Sequence, residues 1–89
     1  MYKIEFSNTA YKFMISPRLP AADSAAIKKR ILALSADPRP AGCEKLKGFK
    51  LDYFRVRQGN YRIVYEVLDR EIRVVIVYIG HRREIYRSL

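Results

Sequence analysis

Tyr53-Phe54-Arg55-Val56-Arg57-Gln58-Gly59-Asn60-Tyr61-Arg62 reads as two short strands joined by a Gly-Asn turn, the kind of dipeptide that closes a two-residue hairpin. With Gly59 and Asn60 in the turn, Gln58 faces Tyr61, Arg57 faces Arg62, Val56 faces Ile63 and Arg55 faces Val64. Successive side chains point to opposite faces of a sheet, so Phe54, Val56, Ile63 and Tyr65 share one face and Arg55, Arg57 and Arg62 the other. Like charges directly opposite one another on a sheet face are destabilising. Three arginines with no carboxylate in the hairpin to relieve them make sense on a surface that meets an anion, and the planar fork of arginine fits phosphate.

Working outward, the pattern stays strand-like downstream and becomes helical upstream. Tyr61–Leu68 and Ile72–Ile79 are predicted strands joined by a tight turn at Asp69-Arg70-Glu71, and Glu44–Lys47 is a short strand closed by Gly48. These connections are too short for parallel crossovers, which predicts an antiparallel meander. At the start of the chain Tyr2, Ile4 and Phe6 alternate with Lys3 and Glu5 as a first strand. Ser7 can cap a helix in which Ala10, Phe13 and Met14 share a face, and Pro17 stops or kinks it. A second helix spans roughly residues 22–36, with Ile27, Ile31 and Leu34 inward and Lys28, Lys29 and Arg30 mostly outward; Asp37-Pro38-Arg39-Pro40 ends it. Residues 80–89 read either as a helical turn or as an extension along the sheet edge. The predicted fold is α+β, one domain over residues 1–89, with two N-terminal helices on one face of a twisted antiparallel sheet. The opposite face, concave through the sheet twist, carries Arg55, Arg57 and Arg62.

Composition agrees with a single small domain. Of 89 residues, 49% are hydrophobic, enough for a compact core, and the single Cys43 cannot form an internal disulfide. That cysteine usage suits a reducing cytoplasm. The longest apolar run, Val74–Ile79, is too short to span a bilayer, and the alternating N-terminus lacks the apolar stretch of a signal peptide. A soluble, cytoplasmic protein with no membrane partner is expected. Eighteen Lys and Arg against nine Asp and Glu give a net charge of +9, which attracts polyanions in a salt-sensitive way. A solvated surface would give the same excess. Residue type favours phosphate, because eight of the eleven basic residues after Cys43 are arginine.

Several kinds of chemistry are excluded. One His and one Cys without ligand spacing make no metal site, the four glycines are isolated turn residues rather than a phosphate loop, and no Ser or Cys has a nearby His–Asp partner. No metal or other cofactor is expected. What remains is a basic and phenolic cluster, whose second half is Gly80-His81-Arg82-Arg83-Glu84-Ile85-Tyr86-Arg87. His81 is an imidazole that can move protons, or it is simply an exposed strand-end residue. Tyr86 can stack on a base or donate a phenolic proton, or it clasps the C-terminus to the core. Cleaving RNA asks little more of a protein, since the ribose 2′-oxygen is the nucleophile. Fixed arginines stabilise the charge that builds on the phosphorane, at about 3 kcal/mol per well-placed donor. A folded RNA or a large assembly can supply alignment of the strand.

Lys45-Leu46-Lys47-Gly48, Tyr53-Phe54-Arg55-Val56-Arg57, Gly59-Asn60-Tyr61-Arg62-Ile63-Val64-Tyr65 and Gly80-His81-Arg82-Arg83 with Tyr86-Arg87 resemble, in this order and spacing, the RelE/ParE toxin superfamily. The resemblance covers essentially the whole chain and implies a microbial-ribonuclease-like sheet neutralised by a RelB-like antitoxin. Members of the RelE type cut mRNA in the ribosomal A site, whereas those of the ParE type poison DNA gyrase. The Arg82 and Tyr86 tail looks like the RelE branch, which implies a metal-independent mRNA interferase, an endoribonuclease whose partner is the ribosome with its mRNA and 16S rRNA. By that resemblance Arg62 and Arg82 stabilise the phosphorane, Arg82 can protonate the leaving oxygen, and Tyr86 orients or stacks the substrate. Tyr53 and Arg55 stand where some members place a lysine pair, and arginine hardly deprotonates, which leaves Tyr86 and His81 as candidate bases. Arg55 stays among the catalytic candidates, and Lys47, Lys50, Arg57 and Arg83 are assigned to the RNA backbone. The alternatives are a ParE-type gyrase inhibitor without nuclease activity and a basic nucleic-acid-binding module.

Overall fold

The computed structural model describes residues 1–48 and 52–81. In chain order they form β1 (Lys3–Phe6), α1 (Asn8–Met14), α2 (Ala21–Ala36), β2 (Glu44–Lys45), β3 (Tyr53–Gln58), β4 (Tyr61–Leu68) and β5 (Arg73–His81). The strands make one five-stranded sheet in the order β1-β5-β4-β3-β2. Both helices lie on one side of it, as the α+β reading expects.

The hairpin register is the predicted one, from Tyr53 opposite Glu66 to Gln58 opposite Tyr61. Gly59 takes a positive φ of 58° and Asn60 does not, the pattern of a type II′ turn, whose twist matches that of the flanking strands. Three details differ from expectation. The sheet is antiparallel from β2 to β5, but β1 runs parallel to β5, with Lys3 opposite Arg73 and Phe6 opposite Ile76. The two helices that follow β1 are the crossover that parallel pairing needs, and β1 closes the edge that the meander leaves open. The edge strand β2 is also shorter than expected, although Leu46 N–H still donates to the Tyr53 carbonyl at 2.8 Å. Finally, Ile72 belongs to the turn rather than to β5. Its φ of 53° is left-handed, and its N–H closes the 3₁₀ turn Asp69–Glu71 onto the Asp69 carbonyl.

Local chemistry places the helices. The Ser7 hydroxyl accepts from Ala10 N–H at 3.1 Å, which caps α1, and donates to the Val77 carbonyl at 2.7 Å. Val77 is the extra residue of a bulge, since Val64 pairs with Tyr78 and Tyr65 pairs with Ile76. One serine therefore starts the helix and satisfies the carbonyl that the bulge exposes. The α2 stripe is as predicted: Ile27, Ile31 and Leu34 are buried against Val56, Ile63, Tyr65, Val74, Ile76 and Ile79. Full burial of each such side chain contributes about 1.5–3 kcal/mol. Proline at position 38 disfavours helix at Asp37, whose φ of −143° is extended, and α2 ends there. The Pro38 carbonyl accepts from the buried Tyr65 hydroxyl at 2.6 Å.

Candidate functional site

Strand alternation puts the helix-side core and the arginine face on the same strands. Along the open face of β3, β4 and β5 the paired residues fall in rows. One row is Arg57, Arg62 and Gly80; the next is Arg55, Val64 and Tyr78; the next is Tyr53, Glu66 and Val75. Arg57 and Arg62 face each other directly, the first exposed and the second half-buried. Beside them, next to Arg55, lies an apolar floor. Leu46 and Val64 form a small buried cluster on this face, with Tyr53 and Tyr78 packed against it. The face is thus a pair of guanidiniums beside an aromatic-flanked floor, a combination suited to phosphate and base together.

Arg55 differs from the other two. It is only 7% exposed, and its guanidinium is bonded to the carboxylate of Glu44, its cross-strand partner on β2. The stretch from Tyr53 to Arg62 holds no carboxylate for its arginines, but the neighbouring edge strand does. The structure thus sets Arg55 in a buried ion pair over Val64, one row away from Arg57 and Arg62. Lys47 is exposed just beyond β2, whose Lys45 bridges to Asp52 at 3.2 Å.

The structure places His81 on the other side of the sheet from Arg62. It pairs with Tyr61, so it projects to the helix side of the sheet while Arg62 projects to the open side. Its ring lies 4.8 Å from that of Tyr61. Tyr61 meets Phe13 edge-on at 5.9 Å and donates its hydroxyl to the Asp23 carboxylate at 2.8 Å, a bond that raises the phenol's pKa above its ordinary value. His81 borders a cleft of about 300 Å³ that Asp23, Gln58 and Asn60 also line. The sheet separates it from Arg62. The same alternation, extended from β4 to β5, would have revealed this in the sequence. Arg82, Arg83 and Tyr86, and Lys50 of the set assigned to the RNA backbone, lie outside the described residues.

Tyr78 was missed in the sequence. Glycine inside a strand marks a place where something approaches closely, and at Gly80 it is the Tyr78 ring: a Cβ there would come within 2.8 Å of it. The isolated Gly80 between Ile79 and His81 was the available signal.

Comparisons with known proteins agree with this geometry. The family described as ParE toxin of type II toxin-antitoxin system, parDE, matches residues 8–86. Toxin RelG of Mycobacterium tuberculosis is 32% identical over 88 residues, which is 97% of each chain. Among solved structures, the isolated E. coli RelE toxin superposes with a TM-score of 0.76 at 26% identity, covering 99% of this chain and 94% of that one. The toxin of the toxin-antitoxin complex RelBE2 from M. tuberculosis gives 0.77 at 29% identity, over 91% and 98%.

Proposed function

This chain belongs to the RelE/ParE superfamily of type II toxin–antitoxin toxins and is of the RelE type, and on that premise we propose that it is an endoribonuclease that cuts ribosome-bound mRNA in the A site. The observation that carries the reading is the Arg57–Arg62 pair, set face to face on the side of the sheet that the helices leave open. Two guanidiniums side by side on one sheet face present a fork-shaped, doubly charged site that fits a phosphate. A phosphodiester is such an anion, and its charge grows as the ribose 2′-oxygen attacks. Arg62 stabilises the phosphorane, and Arg57 holds the backbone. Lys47, together with Lys50 and Arg83, extends that hold, while Arg82 hydrogen-bonds and neutralises the charge building on the leaving 5′-oxygen and Tyr86 stacks the substrate or takes the 2′-proton. The ribosome aligns the strand, which relieves a small domain of much of the entropic cost. A RelB-like antitoxin neutralises the toxin; antitoxin complexes of relatives such as that of Pyrococcus horikoshii RelE support this partner.

The test is purified chain mixed with ribosomes programmed with a defined mRNA, followed by mapping of the new ends. A cut within the A-site codon leaving a 2′,3′-cyclic phosphate is expected, and Arg62→Ala abolishes it. Intact mRNA would refute the reading, and intact mRNA with failing DNA supercoiling would assign the chain to gyrase instead.

A further inference from the structure

The open face holds a third polar group in line with the two arginines. Gly80 lies opposite Arg62, and a Cβ at Gly80 would stand 2.8 Å from the Tyr78 ring and 3.3 Å from its hydroxyl oxygen. A separation under 3.0 Å is closer than real Cβ atoms come, so only glycine admits the ring where it lies. Tyr78 therefore folds along its own strand, over Gly80, and its phenol fills the place that a side chain at position 80 would occupy. The row that begins with Arg57 and Arg62 ends in that phenol.

We propose that the Tyr78 hydroxyl contacts the RNA phosphodiester held by Arg62, donating a hydrogen bond to a phosphate oxygen. This rests on the endoribonuclease reading for its substrate. Packing against Leu46 and Val64 accounts for a ring at position 78. The ring runs past Val64 toward Gly80, which sets its hydroxyl beside the arginine row. The two guanidiniums supply charge, and the phenol adds a directional donor without adding a third positive charge to the row. The arrangement is legible as a pattern: tyrosine, one apolar residue, glycine, with the glycine opposite an arginine on the next strand.

Tyr78→Phe tests this directly, because it keeps the ring and removes only the hydroxyl. Two readouts are needed: the affinity of a short single-stranded RNA with 2′-O-methyl riboses, followed by fluorescence anisotropy at low salt, and single-turnover cleavage on programmed ribosomes. Loss of a hydrogen bond to a charged group predicts about a tenfold fall in both, with an unchanged melting temperature. Gly80→Ala, which drives the ring out, should lower affinity as much, and adding Tyr78→Phe to it should lower affinity no further. Wild-type affinity and cleavage in Tyr78→Phe would overturn the proposal. So would RNA affinity in the wild type no greater than in a chain with Arg57 and Arg62 both changed to Ala. If Tyr78→Phe weakens RNA binding but the wild type cuts no mRNA, the phosphate contact stands and the endoribonuclease reading falls.

Discussion

Arg62 and Ile63 are neighbours in the chain and opposites in the fold. Ile63 is fully buried between the sheet and α2, whereas Arg62 stands half-buried on the open face opposite Arg57. The same contrast runs through the whole hairpin: one parity of residues makes the core, and the other makes the candidate site. Position along the chain therefore says little about the consequence of a substitution, and parity says most of it. Ile63→Ala should cost about 3–4 kcal/mol, read from urea unfolding, because it removes a buried branched side chain and leaves a cavity. Arg62→Ala should leave unfolding almost untouched and lower cleavage of ribosome-bound mRNA at least about a hundredfold. Equal stability losses in the two variants would break the division between the faces.

Arg55 is the exception that sharpens the comparison. It has the parity of the site and the burial of the core, since Glu44 gives its guanidinium a partner on β2. Glu44→Ala leaves that buried charge without its carboxylate. More than half of the Glu44 side chain remains exposed, so solvent screens the pair. The expected loss is about 1–2 kcal/mol of stability, below the value for a fully buried pair. Stability that does not change in Glu44→Ala would return Arg55 to the site.

What the sequence disclosed and what it withheld follow from the range of each interaction. The Gly59-Asn60 turn, the parity of the hairpin and the Ile27, Ile31, Leu34 stripe are set by residues a few places apart, and all are found in the structure. The ion pair of Arg55 is not legible in the hairpin because its partner is eleven residues away on a strand whose register the hairpin does not fix. The helix-side position of His81 follows only when the alternation is carried from β4 through β5. The parallel pairing of β1 depends on which edge the completed meander leaves open. Tyr78 could have been noticed only by asking why a strand residue, Gly80, carries no side chain.

Smaller effects divide the two ends of the β4–β5 hairpin from its middle. Ile72 holds a left-handed φ of 53° although it is β-branched, and 55% of it is exposed. For such a residue the conformation costs about 1–2 kcal/mol, and little burial compensates. Ile72→Gly removes the strain but widens the unfolded ensemble, which leaves a net gain of about 0.5–1 kcal/mol in urea unfolding. A loss of stability would mean that the Ile72 side chain does more for the turn than its exposure indicates.

Asp69, at the start of the same turn, should give the smallest effect and the most specific one. Its carboxylate accepts from both Arg39 guanidinium nitrogens, at 3.2 and 2.7 Å, and from the Tyr2 hydroxyl at 2.7 Å, which ties the turn to the loop after α2 and to the residue preceding β1. The Arg39 bonds, with help from Tyr2, lower the Asp69 pKa, and the bond to Asp69 raises that of Tyr2. A lowered carboxylate pKa stabilises the fold above the unfolded value and is lost as pH falls through the folded one. A raised phenol pKa stabilises the fold below its unfolded value, near 10, and is lost as pH rises through the folded one. The advantage of the wild type over Asp69→Asn in melting temperature should therefore be a plateau, shrinking at the acid end through Asp69 and at the alkaline end through Tyr2. Tyr2→Phe should abolish the alkaline decline and keep the acid one, because the Arg39 bonds remain. A difference that stays constant across the whole range would mean that Asp69 acts through packing and not through its charge.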